Sequence, residues 1–98
     1  MKSIELIKAE RERQINEEGY TPEHDDNEPT SFALSSAALV YACDQNRRHF
    51  VRAFWPWDMK YFKPDTTDTI DGRIKELVKA GALIAAEIDR LHRLQEKK

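Results

Sequence analysis

The stretch TIDGRIKELVKAGALIAAEIDRLHRL, Thr69 to Leu94, is the longest unbroken helical signal in the chain, and the remainder reads as packing on it. Ile70, Ile74, Leu77, Gly81, Ile84, Ile88 and Leu91 follow one another in steps of four and three. That is the a/d spacing of a helix whose apolar seam faces one partner, and Val78 and Ala85 widen it. Asp68 or Thr69 caps the start, Asp71 suits the positive end of the helix dipole, and Arg93, Lys97 and Lys98 suit the negative end. Ala80, Gly81, Ala85 and Ala86 cut a notch into the helix, where a second helix can approach closely. Gly81 costs about 1 kcal/mol of helix propensity against alanine, so the space is expected to be used.

Upstream, a first helix runs from about Ser3 to Glu18 and is stopped by Gly19. On its wheel Ile4, Ile7 and Ile15 share a side with Arg11, Gln14 and Glu18. Packing that face inward draws a guanidinium, an amide and a carboxylate toward the core. Either Arg11 and Glu18 snorkel at the interface edge and pair with each other, or the face carries a polar site, since unpaired buried charge is costly.

The segment YTPEHDDNEPT, Tyr20 to Thr30, is a loop by composition. Within it Thr21-Pro22-Glu23 predicts a short helical turn with Thr21 as cap and Pro22 at the first position, and Pro29 precedes a helix start at Thr30 or Ser31. Its acidic cluster reads first as loop surface, with His24 a hydrogen-bonded tether. The alternative is oxygen ligation of Mg²⁺ or Mn²⁺.

The second helix, Phe32 to about Asn46, is rich in Ala and Ser and is expected to pack tightly on the notch of the last helix. Between Arg47 and Asp65 lie six of the nine aromatic residues, with Pro56 and Pro64 preventing a long helix. This segment is a hydrophobic lid on a thin bundle, or a ligand-facing surface on which a ring such as Trp57 stacks.

Composition narrows the class. A chain of 98 residues, 35% of them charged, is one small domain, 1–98, with little material for a thick core, which favours a helical bundle or an oligomer. The net charge of −2 argues against general nucleic-acid binding, and Arg47, Arg48 and Arg52, the one basic cluster, read as solvated surface. The single cysteine, Cys43, forms no intrachain disulfide and reads as a buried inert thiol. No apolar leader and no run of ~20 apolar residues occurs, so a cytoplasmic protein is expected. Nucleophilic catalysis is disfavoured: Ser35 and Ser36 lie within a helix, and Cys43 and His49 fall on different faces. With three scattered glycines there is no Gly-rich phosphate loop.

Three phrases together, ERERQINEEGYTPEHDD (Glu10 to Asp26), WPWDMKYFKP (Trp55 to Pro64) and ELVKAGALIAAEIDRL (Glu76 to Leu91), are similar to small uncharacterised proteins of phages and prophages. More distantly, the opening ERxRQ helix and the closing helix ending in AEIDRL resemble phage MazG-like proteins of the all-α nucleoside triphosphate pyrophosphohydrolase class. That resemblance implies an often oligomeric helical bundle and Mg²⁺-dependent removal of pyrophosphate from a nucleotide. The chain departs from the class motif, an EExxE on one helix and an ExxD on the next. Its second helix, SFALSSAALVYA, offers no carboxylate before Asp44, and Glu87 is followed three residues later by Arg90.

The expectation is therefore an all-α bundle of three main helices, with an aromatic irregular connection before the long C-terminal helix, assembled as a homodimer. Its function is expected to be nucleotide-related, either divergent hydrolysis or binding without catalysis. Arg11, Gln14, Glu18, His24, Lys75 and Lys79 are the candidate ligand contacts, and Glu18, Asp25, Asp26 and Glu87 the candidate Mg²⁺ ligands. The alternative is a phage-encoded interaction protein that engages a host protein through the aromatic segment 50–62.

Overall fold

A computed structural model describes residues 1–27, 32–65 and 67–97. Among these the chain is all-helical: α1 (Lys2–Glu17), a short α2 (Pro22–Asp26), α3 (Ala33–Ala42), three single 3₁₀ turns (Arg48–Phe50, Arg52–Phe54, Met59–Tyr61) and the long α4 (Ile70–Glu96). The expected bundle with its irregular aromatic connection is what forms. No helix among the described residues is long and apolar enough to cross a membrane.

Local chemistry sets most of the boundaries. Gly19, at φ +75°, takes the left-handed conformation that turns the chain out of α1, and the Tyr20 N–H reaches back to the Gln14 carbonyl at 3.0 Å. Thr21 caps α2 by accepting from the His24 N–H at 3.1 Å, with Pro22 at the first helical position. Thr69 caps α4 in the same way, accepting from the Gly72 N–H at 3.0 Å. Gly72 also meets the preceding loop closely, since a Cβ there would lie 2.6 Å from the Thr67 hydroxyl. The expected start of the second helix at Thr30 or Ser31, and the basic end at Lys98, lie outside the described residues.

The core is thin. Leu34, Ala37, Ala38 and Tyr41 of α3 pack on Ala80, Leu83 and Ala86 of α4, with Tyr20 at one end. Trp55, Trp57 and Phe62 lie over this cluster as the lid that the aromatic content suggested. Trp57 stacks on Tyr20 at 5.1 Å between centroids, and Trp55 meets Tyr41 edge-on at 5.5 Å. On the other flank of α4, α1 crosses the notch: a Cβ on Gly81 would come within 2.8 Å of Ile7 Cδ1. The glycine space is thus filled by α1, while the alanines serve α3.

Three expectations are corrected. First, the α4 seam is not the buried face. Ile70 is 82% exposed, and Ile74, Leu77, Ile84, Ile88 and Leu91 lie between 43% and 49%, whereas Gly72, Glu76, Ala80, Ala82, Leu83 and Ala86 are buried. Second, α3 ends at Ala42, short of Asn46, because Cys43 turns to extended backbone and the Asp44 carboxylate accepts from the Arg47 N–H at 3.0 Å. Third, Arg48 is no surface residue, being 7% exposed. Its Nε donates to the Val40 carbonyl at 3.0 Å and its Nη2 to that of Cys43 at 3.0 Å, which caps the end of α3. Arg73 joins it there, donating to the Tyr41 and Ala42 carbonyls, and both guanidiniums pair with the buried Glu76, at 3.0 Å from Arg48 and 3.5 Å from Arg73. The second Glu76 oxygen accepts from the Asp65 N–H at 3.2 Å.

Candidate functional site

The polar face of α1 does turn inward. Gln14 is 2% exposed, and the side chains of Arg11 and Glu18 are 12% and 9% exposed. Arg11 and Glu18 do not pair with each other, however, and they serve two different clusters.

The first cluster surrounds Gln14. Its Nε2 donates to Glu10 Oε2 at 3.3 Å and to the Lys79 carbonyl at 3.4 Å, while Oε1 is buried with no hydrogen-bond partner among the described residues. Turning the amide over would set its oxygen against two acceptors, so the unpartnered atom is the acceptor. Gln14 lines a cavity of about 20 Å³ walled by Tyr20, Tyr41, Trp55, Trp57, Tyr61 and Leu83. That is room for about one water molecule or one small donor group. Glu10, Arg13, Glu18, Lys63 and Lys79 line both this cavity and an open groove of about 430 Å³ between α1 and α4, whose other walls are Leu6, Ile74, Lys75 and Val78. The groove is polar at the Gln14 end and apolar at the other.

Its charges are organised by α1. The Arg13 guanidinium grips Glu10 at 2.7 and 2.9 Å and reaches Glu17 and Glu18 at 3.2 and 3.3 Å. The Glu10 hydrogen bond is the main reason its proton is held more tightly than usual. Burial pushes the Glu18 carboxyl up, but Lys63, at 2.8 Å, and Arg13 together outweigh it and hold the group below the ordinary glutamate value. Lys79 donates to the Lys63 carbonyl at 2.5 Å and lies 5.6 Å from the Tyr41 ring centroid, and burial lowers its pKa. Lys75 stands at the groove wall. Lys63, Lys75 and Lys79 thus ring an opening in which Arg13 already neutralises much of the acid.

The second cluster is a tether. Arg11 donates to the Tyr20 carbonyl at 2.7 Å and to Asp25 Oδ2 at 2.9 Å, and His24 Nδ1 lies 3.1 Å from Asp25 Oδ1. The Asp25 side chain is wholly buried, and burial raises its pKa despite both neighbours. This pair ties α2 to α1. Asp26 turns the other way to Arg93 at 2.8 Å, and Glu87 pairs with Arg90 at 2.6 Å.

The candidate metal ligands therefore stand apart. Glu18, Asp25, Asp26 and Glu87 each face a cation, and among the described residues no three His, Cys, Asp or Glu side chains are grouped to hold a metal ion. Mg²⁺ requires a near-octahedral shell in which carboxylates converge, and this donor set does not fit it. Of the candidate ligand contacts, Gln14, Glu18, Lys75 and Lys79 meet at the groove and its cavity, while Arg11 and His24 belong to the tether.

Glu10, Arg13 and Lys63 were not anticipated. Glu10, Arg13 and Gln14 stand at i, i+3 and i+4 and share a helix face, a signal that was legible. Lys63, in an irregular segment, gave none. Comparison with protein-family models, with curated proteins and with solved structures finds no match to this chain. The functional reading therefore rests on the side chains.

Proposed function

We propose that the protein binds an anionic ligand of the nucleotide class in the α1–α4 groove without hydrolysing it, and that it works as a homodimer. The observation that carries this reading is the Gln14 carbonyl oxygen, 2% exposed at residue level and without a hydrogen-bond partner among the described residues, in a cavity walled also by Lys63 and Lys79 and opening to the groove that Lys75 lines. An acceptor left unsatisfied in a buried place costs about 1–3 kcal/mol, which a ligand donor would recover. The cavity admits an amino N–H and not a whole ring, so the base edge would reach Gln14 from the groove while Lys63, Lys75 and Lys79 meet the phosphates. Groove volumes of about 300–1,000 Å³ suit small ligands of this size. Each candidate carboxylate is engaged by an arginine or lysine, which supports binding over hydrolysis.

The test is a thermal-shift series with nucleoside mono-, di- and triphosphates, each with and without Mg²⁺. The melting temperature should rise with at least one nucleotide, equally in both series, since a ligand at about 100 times its Kd stabilises by ~2.7 kcal/mol. Gln14→Met should remove most of the shift while leaving the unliganded protein as stable or more so. No shift from any nucleotide at millimolar concentration would overturn the proposal.

A second reading rests on a different observation. Phe50 and Phe54 are 72% and 56% exposed, outside the part of the aromatic segment that serves the lid. They would be the contact of a phage-encoded protein with a host protein. Phe50→Ser with Phe54→Ser should then abolish that association and spare any nucleotide shift; a host complex indifferent to both changes would remove this reading.

A further inference from the structure

The six large aliphatic side chains of the α4 stripe, Ile70, Ile74, Leu77, Ile84, Ile88 and Leu91, are each at least 43% exposed, and no charged residue interrupts them. Ile4 of α1, 60% exposed, and Ile7, which fills the Gly81 notch, extend the same face. Together they present on the order of 500 Å² of apolar surface, at the upper end of what a monomer leaves open. That equals roughly the apolar share of one side of a standard interface of about 800 Å².

The order of the stripe says what fits it. About Gly81 it is nearly palindromic: Ile74 and Ile88 lie seven residues to either side, Leu77 and Ile84 four and three, Ile70 and Leu91 eleven and ten. A two-fold axis near Gly81 therefore sets Ile74 against Ile88 of the partner subunit and Leu77 against Ile84 of the partner subunit. On one flank Asp71 comes opposite His92 of the partner subunit; on the other, Arg73 and Glu87 already have partners within the chain, Glu76 and Arg90. Neither flank sets like charge against like. A parallel pairing instead leaves Arg73 facing Val78 of the partner subunit.

We infer that a second copy of this chain covers the α4 stripe, antiparallel, about a two-fold axis near Gly81, and that the interface closes the apolar end of the α1–α4 groove. The closure follows from shared walls. Ile74 and Leu77 of the stripe, with Ser3, Leu6, Ile7 and Val78, line an apolar hollow of about 230 Å³, and Leu6, Ile74 and Val78 also line the groove. The partner's Ile84 and the partner's Ile88 would roof this hollow. The interface requires no ligand, so it stands or falls separately from nucleotide binding.

Sedimentation equilibrium of the full chain should give a dimer mass at about 100 µM, with a melting temperature that rises with concentration. Leu77→Glu with Ile84→Glu should weaken association by roughly 100-fold or more and keep the helical circular-dichroism signal, because both sites are half exposed. Should that variant unfold, disulfide trapping decides. Ile74→Cys and Ile88→Cys chains, each carrying Cys43→Ser, are mixed and oxidised. Mixed 74–88 bridges in excess of like-with-like bridges support the antiparallel register, and a dominance of like-with-like bridges overturns it. A wild-type chain that stays monomeric at about 100 µM overturns the whole inference and assigns the stripe to a different partner.

Discussion

The two long faces of α4 invert the usual expectation. The face built from Gly72, Glu76, Ala80, Ala82, Leu83 and Ala86 holds one large aliphatic residue and a charge, yet it is buried. The face carrying the other long aliphatics of the helix is left half open. What decides between them within one chain is close approach. α3 contributes Ala33, Ala37 and Ala38 among its buried residues, and two small-residue surfaces bring backbones together and gain dispersion along their whole length. Large side chains would hold the helices apart, and they are displayed on a surface where another helix can interleave with them.

The comparison breaks most readily at Glu76. Replacing it with alanine strands Arg48, whose side chain is 9% exposed, and weakens the hold of Arg73 on α3. Chemical denaturation should show a loss of ~3 kcal/mol or more; a loss under ~1 kcal/mol would mean that the arginines find other partners and that the buried face does not depend on the ion pair. Next comes a matched exchange. Ala86→Leu, at a site 0% exposed, should overpack the α3 contact and cost ~1–3 kcal/mol. Leu77→Ala, at 45% exposure, should cost ~1 kcal/mol or less when measured dilute enough to be monomeric. The reverse order would show that the stripe is the true core. The smallest effect is expected at the boundary. Gly81→Ala brings a Cβ to 2.8 Å from Ile7 Cδ1, the far end of a flexible side chain. A small shift of Ile7 should offset the ~1 kcal/mol gain in helix propensity and leave the melting temperature nearly unchanged. A loss above ~2 kcal/mol would place α1 rigidly on the notch.

Local signals explain what was legible in the sequence. The stop at Gly19, the cap and proline at Thr21 and Pro22, the cap at Thr69 and the length of α4 are each written in one or two residues and need no tertiary partner. That Arg11, Gln14 and Glu18 share the isoleucine side of α1 followed from the helix period; that Arg11 goes to Asp25 and Glu18 to Lys63 did not. Periodicity reports which side chains are apolar and not which side a neighbour can reach, so it points to the wrong face of α4. Arg48 looked solvated inside a run of basic residues. Its role required knowing that α3 ends without a glycine or asparagine cap, so that its last carbonyls needed a distant donor. Glu76 did leave a trace, since it sits between Gly72 and Ala80 at i+4 steps on a small-residue face, where a carboxylate has to be paired.

The arginine clasp on α3 also governs how the molecule comes apart. The carbonyls of Val40 to Cys43 are held by guanidiniums from the following connection and from α4, Tyr41 Oη accepts from the Lys63 N–H at 2.9 Å, and Gln45 donates to the Asp65 carbonyl at 2.9 Å. The last turn of α3 therefore has no independent fraying mode. Its release requires the connection and the start of α4 to let go in the same event, so these three segments form one cooperative opening unit. Phe50 and Phe54 project from that unit, and whatever they touch is presented on a base that yields all at once or not at all.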